Sequence, residues 1–412
     1  MIGERHQKHH PGRVVCMKRF LWVSLVLLLP AAWGRSPFLS AFKPYLKTHI
    51  DLSESLLSLS YTVASFLSAI IVPYFISALG KNFKLTHGFR VAYGIYIAGF
   101  MMFLGAMQVH NSTLLTFICL VLGYFGLRCC GQNLLPVLSR AYSATVCTDK
   151  QCAYVSGWHS LVQLGGALLL AILSAYNAFS SWSYVIYGQI AVLLLYMIFV
   201  PSDLPQTNAS QVSFVAVLRY IRRLPWPFLF GVLIAAFENF NATGIIFHLS
   251  DFARENGVAL SKIYKVFLPI TILTFLFTFV CAWVYAHMSL KWNALGVVIN
   301  MALFVLCAIK LNHDWCILGF IVTSGLGWAF IHVLSYCLSK RLLSGEQQAM
   351  GYAAYAAIVG VCSACGPIAY TSLFNIFGSY ITSGTVMVTI NSALILVVAY
   401  ALWFLPSLKE FR

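Results

Sequence analysis

Charge is scarce in this chain. Only 9% of its 412 residues are Asp, Glu, Lys or Arg, and 11 are acidic, whereas soluble domains carry about 25% charged residues. With 60% hydrophobic residues and a mean hydropathy of +0.83, the shortage excludes a soluble globular domain. The marks of several function classes are missing too. No G-x-x-x-x-G-K-[ST] pattern occurs, which argues against direct use of ATP. No paired carboxylates, metal-spaced His cluster or nucleophile constellation falls deep in an apolar stretch, so an enzyme is not expected, nor a metal or cofactor. The tails and the central polar segment are too short for the output region of a sensor.

Apolar stretches of about 20 residues, the length that crosses a bilayer, recur along the chain between short charged or turn-forming segments. They predict an all-α polytopic membrane protein with twelve spans, at 20–45, 55–79, 90–109, 113–138, 151–178, 182–202, 226–250, 260–287, 291–311, 315–339, 347–376 and 382–405. If the N-terminus is cytoplasmic, eighteen of the 26 Lys and Arg residues fall on the cytoplasmic side. The positive-inside rule then puts both termini in the cytoplasm. The net charge of +15 reads as this topology signal and an attraction to anionic lipid, not a nucleic-acid footprint. The run from Met17 to Gly34 also has the build of a secretory signal, but apolar character resumes past Arg35 as far as Tyr45, favouring a first membrane helix anchored by its basic start.

Most of the 12 cysteines lie inside spans, where a thiol behaves as a small hydrophobe. The CxxC of Cys362 and Cys365 has no nearby His or Asp. Cys147 and Cys152 fall on the cytoplasmic side, where thiols stay reduced. The sequons at Asn111 and Asn208 sit in a very short loop and on the cytoplasmic side, and read as chance matches.

The longest polar segment divides the chain in two. The expected organisation is a basic cytoplasmic tail (1–19), a six-helix bundle (20–202), a cytoplasmic linker (203–225), a second six-helix bundle (226–405) and a short cytoplasmic tail (406–412). Six plus six helices around a basic central loop resembles the major facilitator superfamily, and particular residues add to the resemblance. The loop "GKNFKLTHGFR" resembles that family's G-x-L-a-D-R-x-G-x-R signature, with Gly88 and Arg90 matching its last Gly and Arg. Leu85 and Thr86 stand where the family has Asp-Arg, a departure from its cytoplasmic charge relay. "GLRCCGQN" is similar to the family's R-x-x-G-Q-G pattern through Arg128, Gly131 and Gln132. The segment "GRSPFLSAFKPYLKTHIDLSESLL" resembles the monocarboxylate and oxalate/formate branch. The resemblance implies alternating access, a monomer, an inner or plasma membrane, and for Arg128 a role in packing or proton coupling.

Transporters of this build bind substrate near the midplane, where interrupted helices of the two halves expose polar groups. The sequence predicts such interruptions at "GRSP" in the first span and "ENFNATG" in the seventh. Of the carboxylates, only Glu238 falls deep in a span. The deep cations are Arg35 and Arg128, with Lys43 nearer the outer mouth. That excess of positive charge predicts a small anionic substrate, since a guanidinium suits bidentate recognition of a carboxylate or phosphate. Arg35, Lys43, Gln163 and Asn241 are the expected substrate-binding residues. Glu238, Arg128 and His159 are the expected proton-coupling or gating residues. Each has a structural alternative: Arg35 as a partner of Glu238, Lys43 as a residue snorkelling to the interface, the histidines as packing hydrogen-bond partners. The expected function is secondary transport of a monocarboxylate-like organic anion, with protons as coupling ion. The alternative on the same fold is proton-coupled export of drugs or metabolites.

Overall fold

A computed structural model describes residues 36–78, 83–109, 111–135, 138–139, 182–204, 206–207, 219–266, 290–327 and 345–404, with single residues at 26 and 30. Eleven helices carry the description: α1 (Ser36–His49), α2 (Glu54–Ala78), α3 (Leu85–Gln108), α4 (Thr113–Gly126), α5 (Trp182–Phe199), α6 (Trp226–Phe247), α7 (Leu249–Glu255), α8 (Leu290–Ile309), α9 (Asp314–Gly327), α10 (Gly345–Phe377) and α11 (Tyr380–Phe404). Eight helical stretches among the described residues are long and apolar enough to cross a membrane. The protein is therefore a multi-pass membrane protein. The expected fifth span lies outside the described residues, as do Arg35, His159 and Gln163.

Helix boundaries follow local chemistry. Ser112 accepts a hydrogen bond from the Leu115 amide at 3.4 Å and starts α4, the usual service of a serine N-cap. Pro225 precedes α6 and Pro227 sits in its first turn, where a missing N–H costs nothing. Gly378, with φ +70, ends α10, a left-handed C-cap that favours glycine. The Glu255 carboxylate then accepts hydrogen bonds from the amides of Tyr380 and Ile381 and from the Ser379 hydroxyl, at 2.8 to 2.9 Å, and caps α11.

The N-terminal half packs α3 against α4 and α5, and α2 against α4. Its core is rich in aromatic residues, among them Phe42, Tyr61, Phe89, Tyr93, Phe100 and Tyr124. In the C-terminal half α6 packs on α8 and α10, and α8 on α11. Glycine lets helix backbones meet inside each half. A Cβ at Gly126 of α4 would stand 2.6 Å from the Gly99 Cα of α3, and one at Gly366 of α10 would stand 2.9 Å from the Gly244 amide nitrogen of α6.

Two expectations are corrected. The seventh span has no break at "ENFNATG": α6 runs unbroken from Trp226 to Phe247. Its asparagines are satisfied along the helix, Asn239 and Asn241 donating to the Ala235 and Phe237 carbonyls four residues back, and Gly244 fits under Tyr370. The chain turns only at His248, between α6 and α7. The signature loop is also shorter than expected, because Gly88 and Arg90 lie in the opening turns of α3. Before them Phe83 and Lys84 (β1) pair antiparallel with Gln206 and Thr207 (β2), and Thr86 donates to the Pro201 carbonyl at 2.8 Å.

Candidate functional site: a charged latch above an arginine between the halves

The halves meet along α2 and α10, which run antiparallel. Asn375 donates to the Ser55 hydroxyl at 3.1 Å, the Ser58 and Thr371 hydroxyls are 2.7 Å apart, and Gly360 faces Ala69 deeper in. Ser55 and Ala69 are fourteen residues apart on α2, so the seam runs for about 20 Å at 1.5 Å per residue. It begins at the end that the charge distribution assigns to the outside.

At that end α1, α2 and α7 bring five titratable side chains together. Lys43 is fully buried. Its ammonium is 2.7 Å from Asp251 Oδ2 and 2.7 Å from His248 Nδ1, and pairs with Glu54. Lys47 also pairs with Glu54 and lies 3.2 Å from Asp251 Oδ1. His248 Nδ1 is 3.4 Å from Glu54 and 3.5 Å from Asp251. Its Nε2 is 3.1 Å from the Pro367 carbonyl and 3.2 Å from Thr371 Oγ1. The rings of Phe247 and Tyr380 close the cluster over the Lys43 ammonium. Burial pushes the Asp251 carboxyl up, but its charged neighbours, the ammonium groups of Lys43 and Lys47 among them, hold Asp251 well below the usual carboxylate range. Glu54, His248 and Asp251 offer donor atoms within 4.8 Å of one another. The Lys43 ammonium fills the space between them, so they are read as its partners and not as metal ligands.

This changes the reading of Lys43. The sequence puts Glu54 and Asp251 at helix ends, away from the deep cations. The structure buries Asp251 and half-buries Glu54 beside Lys43, because the end of α1, the start of α2 and α7 meet at one end of the seam. Lys43 neither snorkels nor adds net positive charge to a cavity. It locks α1 to α7.

Seven residues below Glu54 on α2, about 10 Å at 1.5 Å per residue, Tyr61 marks a second layer. Residues 127–134 continue α4 as a π-helix, a local widening often found at functional sites. Arg128 on this segment donates from Nη2 to the Ser363 hydroxyl of α10 at 3.1 Å, and its guanidinium lies 5.2 Å from the Tyr61 ring. Ser363 is in turn 2.7 Å from Thr243 of α6. A permanently charged side chain of the N-terminal half thus reaches the C-terminal half partway along the seam. Tyr124 and Phe247 stand against Tyr61 in the same layer.

The other two described candidates lie within the C-terminal half. Asn241 is fully buried: it donates to Phe237, Met301 and Asn391 and accepts from Tyr370. Glu238 is buried beside Asn300 and Gly327 and makes no ion pair among the described residues. The alternative partner named for it, Arg35, lies outside the described residues. Among the described residues the Glu238 Oε2 has no hydrogen-bond partner. The residues that sequence reasoning undervalued are Glu54, His248, Asp251 and Ser363. For two of them a signal was present: "HLSD" places His248 and Asp251 three residues apart around one turn, so both face one partner.

No protein-family model matches the sequence, and no curated protein matches it. Solved structures do match the fold, which is the twelve-helix major facilitator fold. A variant of the nucleoside transporter NupG superposes with a TM-score of 0.72 over 93% of this chain and 99% of its own, at 12% identity. A bacterial homologue of the human lysosomal transporter Spinster gives 0.66 over 95% and 98%, at 14% identity. The human organic anion transporter TETRAN gives 0.61 over 95% and 99%, at 12% identity. At such identities the likeness is one of fold.

Proposed function

We propose that the protein is a secondary active transporter that moves a small organic anion, monocarboxylate-like in size and charge, by alternating exposure of a site between its two halves, with protons as the coupling ion. The observation that carries this reading is Arg128. A guanidinium held in mid-membrane at the seam is costly unless it serves a purpose, and its fork of donors suits a carboxylate. Its Ser363 contact joins the halves where a substrate entering between them would lie. Arg35, on the first span, is a second candidate receptor for the same anion. The organic anion transporter with the same fold is a precedent for this substrate class. In this reading both termini face the cytoplasm, as the excess of Lys and Arg in the cytoplasmic segments supports, and the working unit is a monomer.

A second reading, export of hydrophobic compounds, draws on the Tyr61, Tyr124 and Phe247 rings around Arg128. Currents from proteoliposomes on a solid-supported membrane separate the two. Wild type, Arg128→Gln and Arg35→Gln are challenged with small carboxylates, phosphates and hydrophobic cations at two pH values. Currents for one anion class that grow with an inward proton gradient and vanish in Arg128→Gln are expected. A response to hydrophobic cations alone overturns the anion reading.

A further inference from the structure

His248 holds two partners that fix its protonation. An ammonium carries only donors, so the 2.7 Å contact from Lys43 requires Nδ1 to accept with its lone pair. The ring proton then sits on Nε2 and is donated to the Pro367 carbonyl. Backbone bonds hold the residue in place: its amide donates to Gly244, and its carbonyl accepts from Asp251 and Phe252. Tyr380 stacks on the ring, with centroids 4.6 Å apart. In this setting the imidazole is neutral, and it has one tautomer.

A second proton on Nδ1 is incompatible with that contact, because it would set donor against donor and charge against charge. The groups that face the ring decide where such a proton leads. From α1 come Lys43 and Lys47, from α2 Glu54, from α7 Asp251 and Arg254, from α10 the uncharged Thr371 and Pro367 carbonyl, and from α11 the Tyr380 ring. Glu255 is engaged elsewhere, at the start of α11. Protonated His248 turns to Asp251, three residues along its own half, while Lys43 keeps Glu54 on the other half. Ion pairs that crossed between the halves are thereby re-sorted into pairs within each half. With neutral His248 the N-terminal group (Lys43, Lys47, Glu54) carries one net positive charge and the C-terminal group (Asp251, Arg254) none. Protonation makes both groups positive, and they repel.

We propose that His248 is a proton-binding site at the outer face and that binding of a proton there releases the Lys43 latch and opens the seam between α2 and α10. The inference deepens the transporter reading by naming where an external proton acts, since imidazole is the side chain that changes charge between about pH 5 and 8.

Hydrogen exchange of the full-length protein in lipid nanodiscs, without any substrate, tests it. Exchange is followed by mass spectrometry at pH 5 and pH 7.5 and corrected for the intrinsic chemical rate. In wild type the segments 44–57 and 367–380 are expected to exchange about tenfold faster at pH 5, within the 5- to 150-fold range usual for coupled sites. His248→Gln keeps an acceptor for Lys43 and a donor for Pro367 but cannot take a proton, and is expected to be slow at both pH values. Lys43→Met is expected to be fast at both. A wild type indifferent to pH, or a pH response retained in either variant, overturns the proposal. Because no substrate is present, its failure is separate from failure of the anion reading.

Discussion

The outer end and the middle of the seam use charge in opposite ways. At the outer end Lys43, Lys47, Glu54 and Asp251 lie within hydrogen-bonding reach of one another, and each cation meets a carboxylate. In the middle Arg128 meets a hydroxyl and an aromatic ring, and Glu238 sits apart beside Asn300. Charges that meet their opposites across two halves hold those halves together. The Ser363 hydroxyl is a contact that a carboxylate can replace at the guanidinium. On the proposed function the first arrangement is the latch and the second the receptor.

The largest expected effect tests the latch. Lys43→Met leaves Glu54 and Asp251 facing each other, and removing one partner of a buried ion pair costs about 3–5 kcal/mol. A marked fall in the thermal unfolding temperature of the purified protein is expected, largely restored by adding Asp251→Asn. Restoration would show that the cost is uncompensated charge and not lost packing.

Glycine substitutions separate the rigid halves from the movable seam. Gly366→Ala drives a methyl into the α6 backbone, an overpacking expected to cost about 1–3 kcal/mol. Gly360→Ala puts its methyl 3.2 Å from the Ala69 Cβ across the seam. On the proposed opening of the seam, the expected change is faster exchange in segment 367–380 with little loss of unfolding temperature. Equal effects on both readouts would erase the distinction between half and seam.

A smaller effect is expected from Ser58→Ala, which removes one hydrogen bond across the seam, worth about 1 kcal/mol. It should raise outer-face exchange roughly fivefold at every pH. Smallest of all is Lys262→Ala. That lysine pairs with Asp314 at an exposed site, and exposed pairs contribute about 0–1 kcal/mol, so unfolding temperature and exchange should both stay near wild type.

Acid dependence sharpens the comparison further. The folded Asp251 carboxyl is held below its unfolded value, so its stabilisation is fully present above the unfolded pKa of about 3.9 and fades only as pH falls through the lower folded value. Between pH 5 and 8 Asp251 contributes a constant amount. Any loosening of the latch in that window is assigned to His248, and His248→Gln should remove it.

Hydrophobic length made most helices legible in the sequence. The expected spans 55–79, 226–250 and 382–405 correspond to Glu54–Ala78, Trp226–Phe247 and Tyr380–Phe404, because about 20 apolar residues have one stable form in a bilayer. The start of α3 was harder to read, since "KLTH" is polar by composition although Leu85 and Thr86 are buried. The break expected at "ENFNATG" came from counting polar residues. Composition does not reveal that an asparagine amide can bond four residues back along its own helix. Arg128 stood out as a deep charge, but its partner Ser363 is 235 residues away. The latch was the least legible part, because Lys43 and Asp251 are 208 residues apart and meet only in the assembled fold. A charge count along one chain cannot see such a pairing.

Separation of the halves at the outer seam is the central claim, and one cross-link tests it directly. The Ser58 and Thr371 hydroxyls are 2.7 Å apart, so the double variant Ser58→Cys with Thr371→Cys should form a disulfide under mild oxidation. Anion-driven currents from proteoliposomes are expected to stop on oxidation and return on reduction, while either single variant is unaffected. Full currents with the cross-link in place would show that the outer seam does not open during transport, and would contradict the claim.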